Sequence, residues 1–213
     1  MRNTVIILIV LFITGCKSDH GREDSKTEYQ SLLKKFREIK MDTFKVRSPE
    51  QNNLKDNFFG VALDSTEAIL FPKEFSSSHI YDYPSLFACY KFSIDSDRIG
   101  LIMRTSGEYV ASSIKLFIYD KKESLIKEHI ELADSWGDAG DFMAKDSWII
   151  KEHSKYLSLI RMEVGHDNSV DNELDTTTEH NEYYYLIDLT LQFDTLSKDS
   201  SELVNRYKKL TRK

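Results

Sequence analysis

The chain has little cysteine, little proline and no long apolar run. Two cysteines occur in 213 residues, Cys16 and Cys89. No CxxC and no Cys/His spacing of the kind that holds zinc is present. Three prolines and eight glycines, with 40% hydrophobic residues, argue against a disordered body and for a packed core. Lys and Arg number 29 against 35 Asp and Glu, a net charge of −6. An acidic chain lacks the counter-charge that drives nucleic-acid binding, so a nucleic-acid partner is not expected. No HExxH, GxSxG, phosphate-loop or dinucleotide glycine pattern occurs. Scattered catalytic groups leave no such trace, so these absences lower the expectation of an enzyme without removing it.

The longest uninterrupted apolar stretch, Val5 to Ile13, is too short to span a bilayer stably, which takes about 20 residues. It has the length of a signal-peptide core and follows a single positive charge, Arg2. Ile13-Thr14-Gly15-Cys16 comes directly after it. A branched apolar residue, two small residues and a cysteine in this position resemble a bacterial lipobox. The resemblance covers only residues 1–16. It implies cleavage after Gly15, diacylglycerol on the Cys16 sulfur and a third acyl chain on its amine. Each buried methylene adds about 0.8 kcal/mol, so two or three chains hold a protein on a membrane durably. Lys17 after the cysteine, in place of Asp, implies the outer membrane of the cell envelope. The face on which the domain lies is left open. Loss of Arg2 with the signal takes the charge from −6 to −7. With Cys16 lipidated, Cys89 has no partner in the chain and the fold cannot rest on a disulfide. Leu86-Phe-Ala-Cys89-Tyr90 is a strand-like setting, in which Cys89 reads as a small buried hydrophobe.

The remaining length suits one domain. Residues 16–26 are expected to be the lipidated cysteine and a polar tether, and 27–213 a single soluble domain. Ser25-Lys-Thr-Glu28 is a capping box, followed by Tyr29, Leu32, Leu33, Phe36 and Ile39 at helical spacing. The basic side of this helix, with Lys34, Lys35, Arg37 and Lys40, faces solvent or rests on anionic headgroups. Asp42 to Asn57 reads as loop, Phe58–Leu63 and Glu67–Phe71 as weak strands, and Ser76 to Pro84 as loop. From Leu86 the pattern is a β-meander with strands Leu86–Ile94, Ile99–Thr105, Ala111–Tyr119, Leu125–Leu132, Phe142–Ile150, Tyr156–Val164 and Tyr183–Phe193. The last alternates clearly, with Tyr183, Tyr185, Ile187, Leu189, Leu191 and Phe193 on a buried face and Tyr184, Asp188, Thr190 and Gln192 on a wet one. The short connections leave no room for parallel crossovers. Ser201 to Leu210 closes the chain as a helix. The expected class is mainly β, with α+β as the alternative: an antiparallel meander forming a curved sheet, sandwich or open barrel. No fixed period supports a propeller.

Two stretches carry candidate chemistry. Ala133 to Asp141 places Asp134, Asp138 and Asp141 among Gly137 and Gly140, with Trp136 between them. Carboxylates and loop carbonyls are what Ca²⁺ takes, although the spacing is not that of an EF-hand. Trp136 on a glycine-bearing loop also suits stacking on a sugar ring. The plain alternative is a hairpin loop of Asx-turns. Gly165 to Glu182 holds six carboxylates, two histidines and no Lys or Arg. Asp167, Asp171 and His180 are candidate cation ligands there, and the stretch is equally a partner-binding loop or a solvated acidic insertion. No cofactor other than Ca²⁺ is suggested. The leading expectation is a lipid-anchored envelope protein whose domain binds a protein partner without catalysis. The alternatives are an envelope hydrolase or carbohydrate-active enzyme using paired carboxylates, and a Ca²⁺-stabilised structural module.

Overall fold

The computed structural model describes residues 28–40, 42–49, 56–81, 84–107, 113–190 and 192–211. The expected signal segment, the lipobox-like stretch ending in Cys16, the expected tether and Ser25 lie outside these residues. The fold is mainly β, as expected. Among the described residues eleven strands form one curved sheet, which does not close into a barrel there. The strands are β1 (Arg37–Glu38), β2 (Thr43–Val46), β3 (Val61–Ala62), β4 (Phe87–Ser93), β5 (Arg98–Thr105), β6 (Ser113–Asp120), β7 (Leu125–Asp138), β8 (Asp141–Glu152), β9 (Lys155–Asp167), β10 (Thr178–Asp188) and β11 (Asp194–Ser197). They run in the order β1-β4-β5-β6-β7-β8-β9-β10-β11, with β3 against β4 and β2 against β8.

The long strand β7 divides the sheet. Residues Leu125 to Ala133 pair with β6, and residues Asp134 to Asp138 pair with β8. Where β7 leaves β8, β2 takes its place, Thr43 opposite Ile150 and Val46 opposite Ser147. The two halves then pack on each other. Their shared core joins Phe92, Ile102, Leu116 and Ile118 from the first half to Ile149, Ile160 and Ile187 from the second. The rings of Phe92 and Tyr156 meet across it at 4.9 Å. Cys89 is buried here, as expected, and burial pushes its thiol up to about 12, which keeps it protonated and inert.

Helices cover the outer face of each half. Residues 28–34 form helix α1, and Tyr29, Leu32 and Phe36 pack with Leu101, Met103 and Phe117 on the first half. Helices α2 (Ser65–Ala68) and α3 (Lys73–Tyr81) lie in the same layer. On the second half, α4 (Ser200–Arg206) sets Leu203 against Trp148, Leu159, Tyr184 and Leu186, and α5 (Lys208–Thr211) follows it. Among the described residues no helix is long and apolar enough to cross a membrane.

Several local expectations are corrected. The first helix does not continue to Ile39. Arg37 and Glu38 instead pair in parallel with Tyr90 and Lys91, so the described residues include a parallel pair after all. The crossover is the whole stretch from β2 to α3. Glu67–Phe71 is not a strand: Asp64 caps α2 by accepting from the N–H groups of Thr66 and Glu67, and Glu67 accepts from the N–H of Asp64. Residues 76–81 are helix rather than loop. Pro72 stands ahead of the first turn of α3, where a missing N–H costs nothing. His79 then ties α3 to the start of β4. Its Nδ1 accepts from the N–H groups of Ser85 and Leu86 at 3.1 and 3.0 Å, and its Nε2 lies 3.1 Å from the Leu63 carbonyl. The expected wet face of the last strand is dry along half its length. Tyr184 and Leu186 lie beneath α4, and Asp188 is buried against Lys155 and Thr190. Tyr183, expected to be buried, is exposed.

Candidate functional site

The two candidate stretches are neighbours in space. Neither is the loop that composition suggested. Residues 133–141 are the ends of β7 and β8 joined by a two-residue turn, Ala139 at φ 48° and Gly140 at φ 91°. Two successive left-handed residues make the tight turn whose twist matches a β-hairpin. Asp138 stands opposite Asp141, and Trp136 opposite Met143. Asp134 and Asp138 are four residues apart on one extended strand, about 13 Å. The three aspartates therefore do not converge on one ion. Asp134 is buried and accepts from the N–H of Ser135 at 2.9 Å.

In the second stretch, β9 runs on to Asp167 and β10 begins at Thr178. The connection between them is bonded to itself. Asp167 caps a 3-10 turn (Asn168–Val170), accepting from the N–H and hydroxyl of Ser169 at 3.0 and 2.7 Å. Asp175 accepts from the N–H and hydroxyl of Thr177 at 3.0 and 2.6 Å. Asn168 donates to the Thr177 hydroxyl at 2.9 Å. These are the Asx-turns that short polar side chains form in loops.

The pairing of β8 with β9 sets Asp141 opposite His166 and so brings the two hairpins together. His166 Nδ1 lies 2.7 Å from Asp141, and Nε2 lies 3.0 Å from Asp171 on the β9–β10 connection. A neutral imidazole has one N–H, whereas imidazolium has two and satisfies both carboxylates. Its hydrogen bonds to Asp141 and then to Asp171 hold the His166 pKa above the ordinary histidine value. Gly140 makes room for this clasp, because a Cβ there would stand 2.9 Å from the His166 ring. Of the candidate residues, the structure thus joins Asp141 with Asp171, through a histidine that the sequence reading had not singled out. Asp167 and His180 are not part of the clasp. Among the described residues no group of three or more His, Cys, Asp and Glu is arranged to hold a metal ion.

Cross-strand register assigns the remaining side chains to faces. One face carries Trp136, Met143 and Val164 in one row and Asp134, Lys145, Met162 and Tyr183 in the next. This face continues the shared core outward, past the point where the first half covers it. Met143, Met162 and Val164 are half-buried and Tyr183 is exposed. Lys145 pairs with Glu131 on β7, and Lys115 of β6 meets the same carboxylate at 3.1 Å. Burial raises the Glu131 pKa, the two ammonium groups outweigh it, and the net shift is downward.

The opposite face carries a charged network around Arg161. The guanidinium donates to both oxygens of Asp146 at 2.9 and 3.2 Å and to Glu182 at 3.2 Å, and Glu163 is 3.8 Å away. His180 pairs with Glu163 at 2.9 Å, and Lys45 with Asp146 at 3.3 Å. Three carboxylates converge here, but the guanidinium occupies the space between them. Farther out, Phe142 lies against Gly165, where an added Cβ would come within 2.4 Å of the ring and 2.1 Å of the Glu179 carbonyl. Comparison with family models, with curated proteins and with solved structures found no match.

Proposed function

We propose that this chain is a lipid-anchored envelope protein whose β domain is a non-catalytic binding module, docking a protein partner on the projecting end of β7 to β10. One observation carries the reading: the two stretches with the least ordinary composition lie side by side at one end of the sheet. That end offers half-buried Met and aromatic side chains, a polar clasp and a rigid strand ladder. Interfaces favour such rigid, partly apolar surfaces rimmed by polar groups. The anchor is read from the lipobox resemblance at Cys16, and outer-membrane placement from Lys17. No metal or cofactor enters this reading.

The test is brief crosslinking in intact envelopes, then detergent extraction, affinity purification of the full-length protein and mass spectrometry. One abundant envelope protein should be captured, and replacing residues 133–141 or 165–182 should release it. Capture that is indifferent to both replacements sinks the reading. The anchor is tested separately: Cys16→Ser should abolish acyl labelling and release the protein from membranes, and retention of the same label would refute the lipobox. A hydrolase using paired carboxylates is the second reading, favoured only by the convergence of Asp146, Glu163 and Glu182 on Arg161. It requires that Glu163→Gln abolish turnover of some envelope glycan while leaving the fold intact.

A further inference from the structure

Strand β10 is paired along its whole length with β9, from Thr178 opposite Asp167 to Asp188 opposite Leu157. Its other edge is covered at one end only. There β11 pairs with Leu186, Ile187 and Asp188, and Ser200 of α4 accepts the Tyr184 N–H at 2.9 Å. Residues 178–183 have no strand on this side among the described residues, and five of the six are exposed. The open edge is about 20 Å long.

The Tyr184 N–H facing Ser200 sets the phase of the whole edge. In an antiparallel ladder the N–H and C=O of one residue point to the same neighbour, and successive residues alternate. Thr178, His180 and Glu182 therefore turn their backbone groups outward, while Glu179, Asn181 and Tyr183 bond to β9. Open edges of this length invite another strand, and proteins blunt them with proline, lysine or a bulge. Residues 178–183 hold no proline, lysine or bulge; the charges they carry, Glu179 and Glu182, are acidic and blunt the edge against its own kind but not against a basic strand.

Charge indicates which strand is welcome. Between Arg161 and Lys198 the sequence has no Lys or Arg and nine Asp or Glu residues. Glu179 and Glu182 lie on the open edge itself, one on each face. A second copy added edge to edge would bring these carboxylates against their own kind. An extended basic segment would meet opposite charges on both faces.

Resting on the binding-module reading above, we infer that the β10 edge over residues 178–183 receives an extended, lysine- or arginine-rich segment of the partner as an added antiparallel strand. Backbone bonds to Thr178, His180 and Glu182 supply the register, and pairing with Glu179 and Glu182 selects basic side chains.

The experiment titrates the full-length protein, in detergent micelles, into a fluorescein-labelled peptide of repeating Lys-Lys-Val, which as a strand carries Lys on both faces. A peptide with Glu in place of Lys is the control. The Lys peptide should bind saturably, and the Glu peptide should not. His180→Pro removes one outward N–H without touching the β9 ladder and should weaken binding by roughly tenfold or more. His180→Ala loses the same side chain but keeps the N–H, and should bind as the parent does. Glu179→Lys, which leaves the backbone alone, should also weaken binding. Amide exchange at His180 and Glu182 should slow on binding. Absence of binding by the Lys peptide, equal binding of both peptides, or unchanged affinity in a folded His180→Pro variant would each overturn the inference. So would a free-protein dimer that His180→Pro dissociates. If envelope capture depends on residues 165–182 but not on the His180 N–H, the binding-module reading stands and the edge assignment fails.

Discussion

The two ends of the sheet are built by different means. In the first half, β5 and β6 are buried on both faces, one against the opposing half of the sheet and one against α1 to α3. Their sequences read accordingly, as the near-continuous apolar runs Ile99-Gly-Leu-Ile-Met103 and Ile114-Lys-Leu-Phe-Ile-Tyr119. At the projecting end, β9 beyond Ile160 is half-buried and β10 before Tyr184 is almost wholly exposed. Few of its side chains lie in any core, and its strands are held by backbone ladders and ion pairs. A buried aliphatic or aromatic side chain contributes about 1.5–3 kcal/mol, an exposed ion pair about 1 kcal/mol or less. The covered end therefore secures the fold, and the projecting end is carried by it and left available for contact.

The contrast can be broken by substitution. Phe117 is fully buried, with its ring 5.2 and 5.0 Å from those of Phe71 and Phe75. Phe117→Ala should cost about 3–5 kcal/mol of global stability in urea melts. Val164→Ala at the projecting end should stay within about 0.5 kcal/mol. Equal losses would abolish the distinction. Gly165→Ala is the exception expected within the projecting end. Its Cβ would strike the β10 backbone, so β10 must move off β9 at a cost of about 1–3 kcal/mol, seen as faster amide exchange in residues 178–183.

Two histidines sharpen the same comparison by opposite pH responses. His79, at the covered end, has its pKa lowered, chiefly by burial and against the hydrogen bond to Leu63. The unfolded chain therefore takes up the proton first, and stability is lost as the pH falls below about 6.5. His79→Leu should flatten that slope in melts across pH 5–8, at a cost of about 1–3 kcal/mol from the two N–H groups left bare. His166, at the projecting end, has its pKa raised. Its contribution is complete below about 6.5 and fades as the pH rises through the higher folded value. The effect is local and the smallest of the set. Asp171→Asn should lower the His166 midpoint in an NMR titration, and an unmoved midpoint would mean that the clasp does not form in solution.

The meander from β4 to β10 was legible because alternation and turn residues are local signals. Strand ends were not, because β7, β9 and β10 continue through polar residues that no face buries. Asp134 to Asp138 and Glu179 to Glu182 look like loop by composition, and the neighbouring strand makes them ladder. At residues 64–67 the signal was present and outweighed: Asp64-Ser-Thr-Glu67 is a capping box, and the apolar run after it suggested a strand. The candidate aspartates are regrouped by the structure. Spacing along the chain put Asp134 with Asp141, whereas register put Asp141 with His166 and, through it, Asp171.

The sequence by itself determined a mainly β chain, an inert buried Cys89 and the two stretches that make the unusual end, because these follow from composition and from periodicity over a few residues. Only the tertiary structure decided that β7 passes from one half of the sheet to the other, that β2 completes β8, that Arg37 and Glu38 leave the helix for a parallel ladder, and that β10 keeps one edge open. Each of these depends on which distant backbone comes within hydrogen-bonding reach, and a pairing between strands separated by most of the chain leaves no mark on either strand alone.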